Sequence, residues 1–366
     1  MPSVERSIRP QAEVPLAPFT TMRIGGPARW LVRVSSAEEV AAVHKWCGEE
    51  DLPLLVLGGG SNLVIADHGF PGVVAQMAIR GTDFAARRSE TVVRVGAGES
   101  WDDVVAAAVS HGLAGLECLS GIPGSVGGTP IQNVGAYGQD VGERITELTV
   151  FDRKPARLTT MARRDCRFGY RTSRFKREDA GRFIVCDVTL SLRPGPPTVI
   201  YPDVVNRLQR GGVSAPTLDD VRRAVLAIRR GKGMVIDESD SDTRSVGSFF
   251  VNPVVLPAVH AAFASADGGA APGFPQAGGR VKIPAAWLIE QSGFGRGYQR
   301  GRVGLSSKHP LAIVNRGGAT ARDVLGLAIE IKRRVADRFG VWLRPEPAFV
   351  GFTDDPDVAY LEKDSG

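Results

Sequence analysis

Cysteine is scarce in this chain of 366 residues: there are four, Cys47, Cys118, Cys166 and Cys186. They are widely spaced, form no CxxC pair and have no nearby histidines, so no zinc or other metal site is expected. Buried free thiols in a reducing compartment are expected instead. No apolar run approaches the length of a bilayer span, so no membrane helix is expected. The opening MPSVERSIRPQAEVPL carries charges but no apolar stretch, so no secretory signal is expected and the chain reads as cytoplasmic. Two nucleotide signatures are also missing. No GxGxxG of the Rossmann type is present, and no GxxxxGK[ST] of a P-loop ATPase.

What is there is an ordinary globular mixture, 43% hydrophobic and 23% charged. The length exceeds what one compact core holds, which predicts two or three domains. The formal net charge is +5 and the pI about 9.2. An excess of that size suits anionic small molecules and is weak evidence for nucleic acid.

Residues 1–18 read as a mobile, proline-containing lead-in. Ala28–Val34 reads as a strand, and Ser36 with Glu39 as the capping box of a helix through Cys47. Pro53–Asp67 reads as strand, glycine loop, strand. Thr91–Leu113 reads as a strand, a turn and a helix capped by Ser100, with Asp102 and Asp103 in its first turn. Strands are predicted over Ile145–Asp152 and Arg182–Leu192. RPGPP (Arg193–Pro197) is the clearest linker. Thr217 and Asp220 cap a helix to Arg230, and Ala266–Gly279 reads as a surface excursion. In Ala321–Gly340, Val324, Leu327, Ile331, Val335 and Phe339 recur at helical spacing behind a Thr320/Asp323 cap. Strands and helices mix without strict βαβ alternation, which predicts an α+β fold.

Two glycine loops stand out: GGGSN (Gly58–Asn62) and SGIPGSVGGTPIQNVGAYG (Ser120–Gly138). Glycine lets backbone N–H groups come close to a pyrophosphate. One such loop is most simply a tight turn. Two of them before a single linker point to a non-Rossmann nucleotide cradle. Further along lie CRFGYR (Cys166–Arg171), VGSFFVNP (Val246–Pro253) and RPEP (Arg344–Pro347). The second sets a lone hydroxyl against apolar rings, where a serine can deliver a proton to carbon. Taken singly, Ser248 would be a turn serine, Arg171 a surface cation, Glu346 a solvated carboxylate and Lys232 a helix C-terminal charge.

Together and in this order the motifs resemble the UDP-N-acetylenolpyruvoylglucosamine reductase family, over roughly residues 19–351. The resemblance implies an FAD-binding fold of the vanillyl-alcohol-oxidase (PCMH) type in two subdomains, plus a separate α+β substrate-binding domain. Its domains fall at 19–193 (subdomains about 19–80 and 81–193) and 214–345, joined by a linker at 194–213. A C-terminal segment, 346–366, returns to the active site. It implies non-covalent FAD, NADPH as reductant, and a UDP-sugar substrate whose enolpyruvyl ether is reduced to a lactyl ether. That is a cytoplasmic step of peptidoglycan precursor synthesis, tied to cell shape and division. A monomer is expected, with no membrane or nucleic-acid partner.

The same resemblance assigns residues. Arg171 would stabilise the enolate-like charge, Ser248 donate the proton, and Glu346 complete the polar cluster. Flavin contacts fall on Gly58, Gly59, Gly60, Ser61, Asn62, Ser120, Ile122, Pro123, Gly124, Ser125, Gly127, Asn133, Gly135, Ala136 and Tyr137, with Arg171 and Val185. Substrate contacts fall on Tyr170, Tyr201, Lys232, Asn252, Lys308 and His309. Two departures accompany them: VNP replaces the KNP of many relatives, and the segment between Lys232 and Ser248 is longer than in short forms.

Two other readings compete. An oxidase or dehydrogenase acting on a sugar or alcohol would keep the flavin fold, but needs a base where Ser248 suits an acid. The run ARRDCRFGYRTSRFKR, with Phe168, Tyr170 and Phe175 among its arginines, is compatible with nucleic-acid contacts, though a solvated basic face explains it more simply.

Overall fold

The computed structural model describes residues 8–266 and 271–364. The chain divides into two compact units. One contains the described residues up to Val14, with Pro27–Gly60 and Phe70–Val235; the other contains Pro15–Gly26, Ser61–Gly69 and the chain from Ile236 onward. Residues 194–235, read from sequence as a linker and the start of a second domain, thus group with the first unit. Two short N-terminal segments group with the second.

The first unit is built on two sheets. A four-stranded sheet runs in the order Gln11–Pro15, Pro27–Val34, Phe70–Met77, Leu54–Leu57. Its central pairings are parallel, Val32 opposite Ala75 and Val56 opposite Ala75. Parallel strands need a crossover. Helix α1 (Ala37–Glu49) supplies it between the strands Pro27–Val34 and Leu54–Leu57, burying Val40, Val43 and Cys47. A second, antiparallel sheet runs Arg157–Ala162, Ile145–Asp152, Phe183–Pro194, Thr91–Gly96, Thr82–Ala86, with Leu113–Ala114 added beside Phe183–Pro194. Val93, Val95, Leu148, Val150, Val188 and Leu190 point inward at the alternation a half-buried sheet requires, and join one core with Trp101 of helix α2 (Trp101–Ser110). Helices α3 (Pro202–Arg210) and α4 (Leu218–Gly231) pack through Val204, Leu208, Val221 and Val225 onto Cys118.

The second unit carries helix α5 (Pro257–Ala266), α6 (Ala285–Gln291), α7 (Ala321–Phe339) and α8 (Pro356–Glu362). Its core collects Leu325, Leu327, Ile331 and Val335 of α7 with Phe249, Phe250, Leu288 and Phe294. Strand Leu63–Ile65 pairs in parallel with Ala348–Val350, so an early and a late stretch of the chain meet in this unit.

Several local expectations need correction. Of the lead-in expected to be mobile, residues 1–7 lie outside the described residues. The rest is ordered, with Ile8 buried in the core and Gln11–Pro15 a strand at the sheet edge. Part of the Ala266–Gly279 excursion, residues 267–270, also lies outside the described residues. Phe274–Pro275 is a short strand beside Val281–Lys282. Ser100 makes no side-chain cap. Asp102 is drawn away instead, accepting from Gly121 N–H at 2.6 Å and pairing with Arg222 at 2.6 Å. Burial pushes the Asp102 carboxyl up, but these partners outweigh it and hold it below the usual carboxylate range.

Candidate active site

In the first unit the two glycine loops come together. A Cβ on Gly59 would lie 2.6 Å from Gly124 Cα and 3.2 Å from Ser125 N, and one on Gly58 would overlap the Ser125 hydroxyl. Only glycine allows that approach. Gly124 and Gly121 have φ of +114° and +70°, which turns the second loop sharply. Ser120 is buried and spends its hydroxyl proton on Glu117 O at 2.7 Å. Gly127 N–H reaches Ala97 O at 2.8 Å, which ties the loop to the antiparallel sheet. Ile122 packs against the core, and Val185 lies within it.

Asn133 braces the loop. It sits at φ +47°, accepts from Gly142 N–H at 2.9 Å and donates to Gly169 O at 3.0 Å. Its amide therefore joins the second glycine loop to CRFGYR. There Gly169 and Thr172 exchange backbone hydrogen bonds of 3.0 and 3.2 Å, which leaves Tyr170 and Arg171 at the tip of a tight turn. Arg171 is left-handed, φ +50°, a conformation that costs a non-glycine residue about 1 kcal/mol or more. Its guanidinium donates to Gly135 O, lies 3.8 Å from Asp140 Oδ1, and stands 5.6 Å from the centre of the Tyr170 ring. A side chain on Gly135 would overlap the Asp140 carboxylate. Asp140 was not singled out from sequence, because nothing local marks it as the carboxylate beside Arg171.

The arginines of the basic run are engaged within the protein. Arg163 donates to Gly142 O at 2.5 Å, Arg167 pairs with Glu178 at 2.8 Å, Arg174 with Asp179 at 2.5 Å, and Arg177 donates to Thr172 Oγ1 at 2.8 Å. The run is thus a braced loop whose outer arginines, such as Arg164 and Arg167, still face solvent.

Tyr201 is the N-cap of α3 and is 43% exposed. Its ring meets Tyr137 edge-on, with centroids 5.4 Å apart. Tyr137 is largely enclosed, and burial pushes its hydroxyl up to about 12. Lys232 ends α4. Three residues earlier, Arg229 is buried, donates to Met234 O at 3.0 Å, and has an Nε without a partner among the described residues. Burial pushes its guanidinium down. Sequence reasoning missed Arg229, since nothing in the arginine pair separates it from exposed Arg230.

In the second unit, VGSFFVNP runs antiparallel to RPEP. Glu346 N–H reaches Phe249 O at 2.8 Å, Val251 N–H reaches Arg344 O at 2.9 Å, and Phe250 bridges Pro345. Ser248 and Glu346, 98 residues apart in sequence, are thereby neighbours in space. Both are half-buried. Gly247, at φ +75°, makes the turn that presents the serine, while Phe249 and Phe250 go fully into the core. Asn62 joins them: its side-chain amide donates to Glu346 O at 3.3 Å, and its main-chain carbonyl accepts from Ala348 N–H at 3.0 Å. The end of GGGSN, Ser61 and Asn62, thus belongs with the PEP segment.

The remaining candidates have structural work as well. Asn252 accepts from Ala285 N–H at 2.8 Å, at the start of α6. Lys308 pairs with Asp240, and His309 Nδ1 accepts from Leu311 N–H at 3.2 Å. Leu311 O in turn accepts from Phe249 N–H at 2.8 Å, which lays the Lys308–Leu311 turn beside Ser248. Among the described residues no acidic, histidine or cysteine cluster could hold a metal ion.

Comparison with known proteins now adds to this geometry. Residues 28–159 match the model of an FAD binding domain, and residues 238–350 that of the UDP-N-acetylenolpyruvoylglucosamine reductase C-terminal domain. The reductase of that name from Thermobifida fusca is 46% identical, over 93% of this chain and 98% of its own. That of Mycobacterium sp. (strain MCS) is 45% identical, over 94% and 97%. The crystal structure of the Thermus caldophilus reductase superposes with a TM-score of 0.65 at 27% identity, covering 94% of this chain and 99% of the other.

The fold is therefore that of an FAD-binding protein, and the class is a flavin-dependent oxidoreductase. FAD suits the residues present, because Gly58 and Gly59 meet Gly124 and Ser125 with no room for a Cβ, so the two loops form one bare-backbone wall that a pyrophosphate can approach. Within that class, the chain belongs to the UDP-N-acetylenolpyruvoylglucosamine reductase family.

Proposed function

We infer that this chain catalyses the NADPH-dependent reduction of the enolpyruvyl ether on UDP-N-acetylglucosamine to the lactyl ether of UDP-N-acetylmuramate. The observation that carries the reading is the pairing of VGSFFVNP with RPEP, which brings half-buried Ser248 and half-buried Glu346 onto adjoining segments. Identity of 45–46% to named reductases over nearly their whole length supports it. Bound FAD supplies the transfer of a hydride from NADPH to the terminal vinyl carbon.

The glycine loops hold that cofactor. Neither contains a cysteine or histidine, which accords with non-covalent binding. Ser248 gives its proton to the second carbon. A neutral serine is a poor acid in water, so its apolar flank and polar neighbours lower the cost of the transient alkoxide. Arg171 holds the charge that develops on the enolpyruvyl carboxylate. Its fork is held by Gly135 O and Asp140, so little reorientation remains at the moment of reaction. Glu346 steadies the enolic acid.

Tyr170 and Tyr201 cover the sugar nucleotide, and Lys232 meets its diphosphate. Asn252, whose carbonyl is taken by α6, offers its NH2 group. Lys308 and His309 complete the polar contacts. A monomer acting in the cytoplasm on peptidoglycan precursors, upstream of cell shape and division, fits a nucleotide-sugar substrate. It also fits the lack, among the described residues, of any helix long and apolar enough to cross a membrane.

Anaerobic stopped-flow tests the assignment. Ser248→Ala leaves flavin reduction by NADPH nearly unchanged and slows reoxidation by the enolpyruvyl nucleotide about 10²- to 10⁴-fold. Arg171→Ala acts on the same step, because the enolate charge exists only there. Equal slowing of both half-reactions by the serine variant removes Ser248 from the proton-donor role.

A further inference from the structure

Lys232 is already paired. It stands at the C-terminus of α4, where free carbonyls favour positive charge. Its Nζ lies 2.9 Å from Asp203 Oδ2 and 5.8 Å from the centre of the Tyr137 ring. Asp203 sits in the first turn of α3, two residues after Tyr201. One carboxylate therefore ties the head of α3, and the tyrosine on it, to the ammonium. The chain just before is fastened too. Thr198 N–H donates to Glu117 Oε1 at 2.7 Å, and its hydroxyl accepts from Gln139 at 3.0 Å. Glu117 and Gln139 are buried, so this is a fixed anchor. Only Val199 and Ile200 separate it from Tyr201, and Ile200 is 69% exposed.

We propose that Asp203 is a positioning residue for a nucleoside diphosphate: its carboxylate holds Lys232 where a phosphate binds, and yields the ammonium when the diphosphate arrives. The inference rests on the reading of Lys232 as a phosphate ligand.

Three features favour exchange over sharing. Carboxylate and diphosphate are like charges, and crowding both onto one ammonium is repulsive. One side of that ammonium already faces the Tyr137 ring, which limits its open donor directions. Both partners are partly solvated, 34% for Lys232 and 46% for Asp203, and a pair of that kind is weak enough to trade.

Calorimetric titration of UDP into the FAD-loaded enzyme at low salt tests the proposal. Asp203→Asn removes the competitor and tightens UDP binding about two- to five-fold. Asp203→Glu, which keeps the charge, stays near the wild-type value. Lys232→Met weakens binding about tenfold, and adding Asp203→Asn to it changes nothing further. The proposal is overturned if Asp203→Asn leaves affinity unchanged or lower, if Asp203→Glu tightens binding equally, or if the gain persists without Lys232. Unaltered UDP binding by Lys232→Met alone overturns instead the reading of that lysine as a phosphate ligand.

Discussion

At the scale of single residues, the cradle depends on hydrogen atoms where other residues carry carbon. Gly59 faces Gly124 Cα across a gap that a Cβ would reduce to 2.6 Å, and the obstacle is backbone, which cannot rotate aside. Gly59→Ala is expected to cost about 1–3 kcal/mol through overpacking. It should also lower the ratio of flavin to protein absorbance in the purified enzyme. Gly48→Ala is the control, since a Cβ there meets nothing within 4 Å and the residue lies in α1. That change should raise stability by about 0.5–1 kcal/mol and leave flavin content alone. Equal flavin content in both variants would remove the close approach from any part in binding. The thiols are simpler to account for: all four are buried, as their spacing led one to expect. Burial pushes Cys47 up to about 11 and the other three to about 12.

At the scale of elements, the caps show what a short stretch of sequence can carry. Thr217 with Asp220 and Thr320 with Asp323 form complete capping boxes at the heads of α4 and α7. Ser36 accepts from Glu39 N–H at 3.2 Å, but the Glu39 carboxylate returns to Ser35, at 2.6 Å from its N, so the box is displaced by one residue. Ser100 had the same local pattern and fails; its backbone is bridged instead to Ser125 of the second glycine loop, distant in sequence. Thr320→Ala should therefore cost about 1 kcal/mol in urea unfolding, and Ser100→Ala close to none. Similar losses for both would mean that cap geometry does not set these helix ends. The site divides along the same line. Motifs proposed Ser248, Arg171 and Glu346, whereas no motif marked Asp203, Asp140 or Arg229. Their roles come from partners that the chain meets only after folding.

At the scale of the whole molecule, the sequence suggested a linear succession of domains, whereas the second unit is assembled from three separated stretches. Local patterning could not show this. Leu63–Ile65 reads as a strand, but its partner, Ala348–Val350, lies some 285 residues away. The early segments are not ornaments on that unit. Met22, Ile24 and Val64 lie in its core, 0%, 2% and 0% exposed. Asn315 donates to Met22 O at 2.9 Å, and Asp67 accepts from Ala321 N–H at 2.7 Å at the head of α7. Burying three such side chains contributes about 5–9 kcal/mol, which is comparable with the whole stability of an ordinary domain, about 5–15 kcal/mol. A fragment comprising residues 236–366 alone loses all of these and exposes the edge of Ala348–Val350. It is expected to lack a cooperative thermal transition and to show poorly dispersed amide resonances, although α7, with its own capping box, retains some helical signal. A sharp transition from that fragment would mean that residues 15–26 and 61–69 are dispensable to the unit, contrary to the buried contacts they make.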